Sequence, residues 1–153
     1  MAYPASCHRG RKQVVNGVER FGVSMAPDLL SRFDEVIAAR GYTNRSEAIR
    51  DIVRDYLIEQ QWESGEGEVI GTLTLVYDHH EHDTMEQLTA LQHHYHEAIL
   101  STLHIHLDAH HCLEVIVVRG SSTDIRRLAD KVITTRGVKH GKLTCTTTGQ
   151  GLA

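Results

Sequence analysis

Cysteine is scarce in this chain and wrongly spaced for cross-linking. There are three, Cys7, Cys112 and Cys145, an odd number without the spacing of a disulfide framework. That excludes a disulfide scaffold and fits a reducing compartment. No apolar run approaches the length that crosses a bilayer, and the N-terminus lacks the hydrophobic core of a signal peptide, so a cytoplasmic location is expected. A strong charge of one sign is also missing: the formal net charge is −4 over 153 residues. It is unevenly spread, with 9 Lys+Arg against 8 Asp+Glu in residues 1–60 and 7 against 12 in the remainder. A polyanion would therefore meet the N-terminal part. The length allows one domain or two small ones.

Histidine is what the chain has in excess. There are 12, most of them between 79 and 111, a density that points to metal binding or pH sensing. The densest stretch runs Leu103-His104-Ile105-His106-Leu107-Asp108-Ala109-His110-His111-Cys112-Leu113-Glu114. On a strand Leu103, Ile105 and Leu107 share one face and His104 and His106 the other. Leu113, Val115 and Val117 alternate in the same way. Pairing the two strands with both apolar sets together sets residue 107 opposite 113, makes 108–112 a five-residue turn and puts Glu114 across from His106. Cys112 then leaves the turn on the histidine side. Imidazole and thiolate form a borderline-to-soft donor set that suits zinc, nickel, copper or cobalt.

Taken in order, residues 1–18 show no helical or strand period and read as a flexible arm carrying Arg9, Arg11 and Lys12. The arm also carries Cys7-His8, which could take up metal adventitiously. Phe21, Val23 and Met25 then alternate with Arg20, Gly22 and Ser24, which predicts a strand with the apolar set inward. Pro27 and Asp28 open a helix bearing Leu29, Leu30, Phe33, Val36 and Ile37 and ending at Gly41. Asn44-Arg45-Ser46-Glu47 has the form of a capping box. The helix it starts carries Ile49, Ile52, Val53, Tyr56 and Leu57. A strand–helix–helix unit of this size is too small to bury a stable core alone. The single strand also needs a partner, so two copies pairing their strands as an antiparallel ribbon would solve both problems, and such a ribbon fits the major groove of DNA. Arg20, Gly22 and Ser24 would then face the bases, and the backbone N–H groups of Asn44, Arg45 and Ser46 a phosphate.

Ser64-Gly65-Glu66-Gly67 is the small-polar break, so the expected organisation is arm 1–18, DNA-binding unit 19–62, linker 63–67, second domain 68–148 and tail 149–153. The second domain reads strand 69–77, helix 83–96 (Met85, Leu88, Leu91, Tyr95), strands 98–107 and 112–119, helix 122–135 (Ile125, Leu128, Ala129, Val132) and strand 138–146. This βαββαβ order predicts a ferredoxin-like α+β fold with both helices on one face of the sheet. The helices are expected on the Leu103/Ile105/Leu107 side, leaving His104 and His106 on a bare face that a second subunit would cover. A fourth donor would come from that subunit. On a helical wheel centred on Leu88, Leu91 and Tyr95, His93 lies about 140° away and His94 about 120° away, so His93, His94 and His96 stay open as candidates.

Residues 20–60 resemble a ribbon-helix-helix DNA-binding domain, with GYTNRSEAIRD as its second-helix signature. Residues 68–147 resemble the metal-binding, ACT-like domain of the nickel-responsive transcriptional repressors, the NikR family. The stretches that carry the likeness are RFGVSMAPDLL, GYTNRSEAIRD, LQHHYHEAILSTLHIHLDAHHCLEVIVVRG and TTRGVKHGKL. The resemblance implies Ni2+, one per subunit, square-planar between His104, His106 and Cys112 of one chain and His93 of another. It also implies Tyr77, Gln92 and Glu114 around the metal, an auxiliary cation near Glu47 and Asp51, and a homotetramer. The expected partner is palindromic double-stranded operator DNA, with no membrane, and the expected role is repression of nickel-uptake genes. His79, His80, His82, His110 and His111 exceed this set and read as exposed loop and helix-start residues or weak metal sites, and Cys145 as packing. The rival readings are a metalloenzyme with Glu114 as base, which needs an open position for water, and a metal-storage or delivery protein using the histidine excess.

Overall fold

The computed structural model describes residues 14–15 and 17–152, so Cys7, His8 and the basic residues of the arm lie outside the described residues. What is described of the arm is a hairpin, β1 (Val14–Val15) against β2 (Val18–Glu19), with Gly17 at φ +77°. An arm without regular structure was expected. The missed signal is Asn16-Gly17 between valines, the dipeptide that favours a tight hairpin turn.

Residues 20–26 pair with no strand among the described residues, and Phe21, Val23 and Met25, expected inward, are exposed. The alternation is present, but a two-stranded ribbon takes its hydrogen bonds and its second apolar layer from another chain. Helix α1 (Pro27–Ala39) starts with proline in its first turn, where the missing N–H costs nothing. It ends in a Schellman motif: Gly41, at φ +83°, donates to Ala38 O at 3.0 Å, and Tyr42 donates to Ile37 O at 3.1 Å. Helix α2 (Arg45–Ser64) is capped as the sequence predicts, with Glu47 N–H donating to Asn44 Oδ1 at 2.9 Å. The Arg45 guanidinium forks onto Asp34, Nε to Oδ1 at 2.7 Å and Nη2 to Oδ2 at 2.6 Å, tying the start of α2 to α1.

By its contacts the chain divides inside α2, between Ala48 and Ile49. The last turns of α2 belong to the second unit because Trp62 is buried in its core and Ile58 packs against that core. The Trp62 indole N–H donates to Thr146 O at 2.8 Å. A Cβ on Gly71 would come within 3.3 Å of the Trp62 ring, so glycine there makes room for the indole. Gly65 and Gly67, both at positive φ, then turn the chain into the sheet.

The second unit is a four-stranded antiparallel sheet of β3 (Val69–Asp78), β4 (Ile99–His106), β5 (His111–Gly120) and β6 (Val138–Thr146), in the order β4-β5-β3-β6. Helix α3 (Thr84–His94) follows β3 and α4 (Ser122–Ile133) follows β5, giving the expected βαββαβ plan. Leu73, Leu75 and Tyr77 of β3 and Ile116 and Val118 of β5 are buried with Leu88, Ile125, Leu128 and Val132 of the helices. Met85, expected in the α3 stripe, is exposed. Thr84 is buried instead, its hydroxyl donating to Arg136 O at 3.0 Å.

Two expectations about the hairpin are corrected. The register sets His106 opposite Cys112, Ile105 opposite Leu113 and His104 opposite Glu114, two residues away from the expected one. Asp108 decides this, since its Oδ1 accepts the N–H groups of His110 at 2.7 Å and His111 at 2.8 Å, closing a tight turn. The faces are also reversed. Leu103, Ile105 and Leu107 lie on the side of the sheet away from the helices and are 40–57% exposed. His104 and His106 share the helix-side face with buried Cys112, Glu114 and Tyr77. Pattern alone misassigned this because β5 lies between β4 and β3 and is apolar on both faces from Cys112 to Val118, Glu114 excepted.

Candidate metal centre

Strand pairing assembles the donors. Residues directly opposite on antiparallel strands point the same way, so the cross-strand pair His106–Cys112 meets side by side, with Nδ1 and Sγ 3.3 Å apart. Cys112 is also opposite Tyr77 on its other flank. One alternation beyond Tyr77, on the same face, comes His79, whose Nδ1 lies 3.3 Å from the Cys112 sulfur. The donor atoms of His79, His106 and Cys112 all lie within 4.8 Å of one another. His79 was expected as an exposed loop residue but is half-buried against the thiol. The signal for it was there: Leu73, Leu75, Tyr77 and His79 continue one strand face.

His104 stands one alternation from His106, their ring centroids 4.9 Å apart. The Tyr77 hydroxyl lies 3.2 Å from His104 Nδ1. Glu114, opposite His104, is a buried carboxylate that accepts the Gln92 amide N–H at 2.6 Å, and Gln92 in turn accepts from the Thr102 hydroxyl at 3.4 Å. The structure thus brings Tyr77, Gln92 and Glu114 to the donors. Gln92 belongs to the last turns of α3, so this end of the chain's own helix lies on the donor side of the sheet. The face argument for an external fourth donor therefore falls away. His93, next to Gln92, is exposed and does not join the three-donor group, and His94 and His96 are likewise exposed.

The environment tunes these groups. Burial pushes the Cys112 thiol up, and the Glu114, Asp108 and Asp78 carboxylates add to this. Burial, then the neighbouring Glu114 carboxylate, raises the Tyr77 phenol, keeping it a neutral hydrogen-bond group. His79 is lowered by burial and by the nearby His80 and His106 rings, which favours the neutral imidazole that a metal needs. The set can be tested for fit. With metal–sulfur near 2.3 Å and metal–nitrogen near 2.0 Å, adjacent donors stand about 3.0 to 3.5 Å apart. The 3.3 Å spacings from Cys112 to His106 and to His79 fall inside that range. A nitrogen–thiolate set with these spacings suits a late transition metal such as nickel.

The other candidate positions are placed as follows. Arg20, Gly22 and Ser24 are exposed ahead of α1, and Asn44, Arg45 and Ser46 are exposed at the start of α2. The Arg45 side chain is engaged by Asp34, which leaves its backbone as the feature of interest. Glu47 accepts from Thr43 and Asn44, and Asp51 is paired with Arg54 at 3.0 Å. Cys145, expected to pack, is exposed on β6.

Comparison with known proteins agrees with this architecture. Residues 19–60 match the family described as ribbon-helix-helix protein, copG family, and residues 70–146 match the NikR C-terminal nickel-binding domain. A regulator of Solibacter usitatus designated nickel-responsive is 59% identical over 88% of this chain and 97% of its own length. One of Geobacter sp. strain M21, similarly designated, is 58% identical over 87% of this chain and 96% of its own. A ribbon-helix-helix region, a sheet that gathers a thiol and imidazoles, and likeness along nearly the whole length lead to one assignment: the chain belongs to the nickel-responsive regulator family.

Proposed function

We propose that this protein is a nickel-dependent DNA-binding transcriptional repressor of nickel-uptake genes, working in the cytoplasm as a homotetramer. The observation that carries the reading is the His106–Cys112 cross-strand pair, 3.3 Å apart, in a chain whose residues 19–60 match a ribbon-helix-helix family. His104, His106 and Cys112 of one subunit with His93 of a second would hold one Ni2+ per subunit. The external His93 rests on the family resemblance and is supported by its exposure beside Gln92. Bound nickel supplies a cationic centre that ties the β4–β5 hairpin to a neighbouring subunit. Tyr77 orients the His104 ring, and Gln92 holds the Glu114 carboxylate beside the donors. A partner that accepts or donates at the second ring nitrogen fixes a ligand histidine's tautomer.

In the DNA-binding half, Arg20, Gly22 and Ser24 of two paired strands would enter the major groove of a palindromic operator. Asn44, Arg45 and Ser46 would approach a phosphate with the positive end of α2. Glu47 and Asp51 remain candidates for an auxiliary cation. The relatives are regulators by name, and the chain is a regulator rather than an enzyme. A storage role would leave the ribbon-helix-helix half without a purpose. The test is to titrate apo and nickel-loaded protein against operator DNA at one salt concentration. Coupling of about 1–3 kcal/mol between metal and DNA is expected; equal affinities would overturn the switch.

A further inference from the structure

The run Gln92-His93-His94-Tyr95-His96 ends α3, and its members have separate tasks. The Gln92 amide is held on Glu114. The His94 ring stands edge to face on Tyr95, 4.8 Å between centroids. A carbonyl only accepts, so His96 Nδ1 donates to His93 O, 3.0 Å away, and satisfies one of the carbonyls that a helix end leaves free. The His93 imidazole, in contrast, has no hydrogen-bond, ion-pair or ring partner among the described residues. The turn is tied down around it while its own ring stays free.

Tyr95 is the joint of this turn. As the residue that ends α3, it donates its N–H to Leu91 O at 3.0 Å. Its own carbonyl accepts the Ala98 N–H at 2.9 Å, and Ala98 O accepts the Arg119 N–H at 2.8 Å. One residue thus closes the helix and starts the return into β4. Its half-buried ring packs against the core of the second unit. Lys131 of α4 places its Nζ over that ring, 5.4 Å from the centroid. Among the described residues Lys131 has no carboxylate partner. The ring's negative face therefore attracts this ammonium, together with the carbonyl end of α4, in whose last turn Lys131 lies.

We propose that Lys131 is a positioning residue for the nickel site: its ammonium over Tyr95 clamps the last turn of α3 in the metal-free chain and so presents the His93 imidazole to a second subunit. The inference rests on the nickel reading given above. Helix ends open at a free energy near zero, so a modest contact shifts the share of chains whose last turn is formed. A ligand that needs the formed turn binds more weakly as that share falls. Lys131 touches no donor; it acts through Tyr95.

The test uses the full chain, first without metal. Lys131→Met should speed amide exchange over residues 91–96 about two- to fivefold, the factor that a cation over a partly exposed ring contributes, with α4 and the sheet unaltered. Lys131→Arg keeps a cation over the ring and should restore the slow rate. In Tyr95→Leu, shown to be folded by circular dichroism, Lys131→Met should add nothing, because the pair has already lost its ring. NiCl2 is then added in competition with a chelator. Lys131→Met should bind about twofold more weakly, with an unaltered thiolate-to-nickel band at saturation, and Lys131→Arg should bind like the unaltered protein. Unaltered exchange over 91–96 in Lys131→Met, acceleration spread equally over α4 and the sheet, no rescue by Lys131→Arg, an undiminished effect in Tyr95→Leu, or unaltered nickel affinity would each overturn the positioning role and leave the nickel reading standing. Absence of any thiolate band in the unaltered protein would overturn the nickel reading, and the positioning role with it.

Discussion

The two halves of this chain spend their apolar residues differently. The second unit closes a core within itself: Trp62, Leu73, Leu75, Tyr77, Leu88, Ile116, Ile125, Leu128 and Val132 are all buried together. In the first unit Ile37 and Ala48 are buried, while Phe21, Val23, Met25, Leu29 and Val36 stand exposed. Both show equally clear periodicity in sequence. Periodicity therefore reports which residues want cover, not whether the same chain supplies it. The second unit repeats the lesson on its edge, where Leu100, Leu103, Ile105 and Leu107 are exposed although the strand is well formed.

The sharpest way to break this contrast is a pair of core truncations. Leu128→Ala should cost about 2–5 kcal/mol in urea unfolding of the second unit, independently of protein concentration. Phe21→Ala should instead act through association, lowering the midpoint of the first unit more at low concentration than at high. If both variants lost stability without concentration dependence, the contrast would be false.

Next in size is the donor pair. Cys112→Ala should lower nickel affinity by more than about 100-fold, the upper end for outer-shell losses at metal sites, and erase thiolate absorption. Apo DNA binding should remain, because the residues proposed to face DNA lie in the other unit. A loss of apo binding would show that the halves are not separable in this way. Arg20→Ala should cost about 1–3 kcal/mol of operator affinity and relax base preference at one position, with nickel affinity unchanged. Competition between altered operators would read this out.

The smallest effect concerns Asp34. The Arg45 guanidinium, by its hydrogen bonds, holds this carboxyl below its ordinary value of 3.8. Its contribution to stability is therefore present above that value and lost as pH falls through the lower, folded one. Carboxyl NMR should show Asp34 titrating below 3.8 in the native protein and returning to the ordinary value in Arg45→Ala. The pair is exposed and screened by solvent, so little stability should follow.

Much of the fold was legible because its signals are local. Asn44 and Glu47 announced the start of α2, Gly41 the end of α1, and the alternation of helix and strand patterns announced βαββαβ. Of the candidate donors, His106 and Cys112 were legible as a pair in sequence, while their placement and their third neighbour were not. His104, His106 and Cys112 stand out by residue type, yet the expected register was two residues off because the Asp108 turn was read two residues too long, as 108–112, where Leu107 N–H donating to His111 O at 2.9 Å leaves 108–110. The face was reversed because β5 is apolar on both sides and offers no period to choose by. Trp62 went unnoticed as a core residue because it sits beyond the amphipathic stripe of α2, close to the Ser64–Gly67 break. His79 was passed over because sequence shows five surplus histidines alike, and strand pairing singles out one.

Composition and pattern by themselves determined that the chain holds two units, that one reads as strand–helix–helix and the other as a ferredoxin-like sheet, and that nitrogen and sulfur donors crowd one hairpin. These follow from backbone periods of 3.6 and 2 and from residue chemistry, both of which are written along the chain. Only the tertiary structure decided that the donors share the helix-side face with Tyr77, Glu114 and Gln92, that Trp62 joins the second core, and that His79 closes on Cys112. Those depend on which strand lies beside which, and hydrogen bonding between segments far apart in sequence settles that.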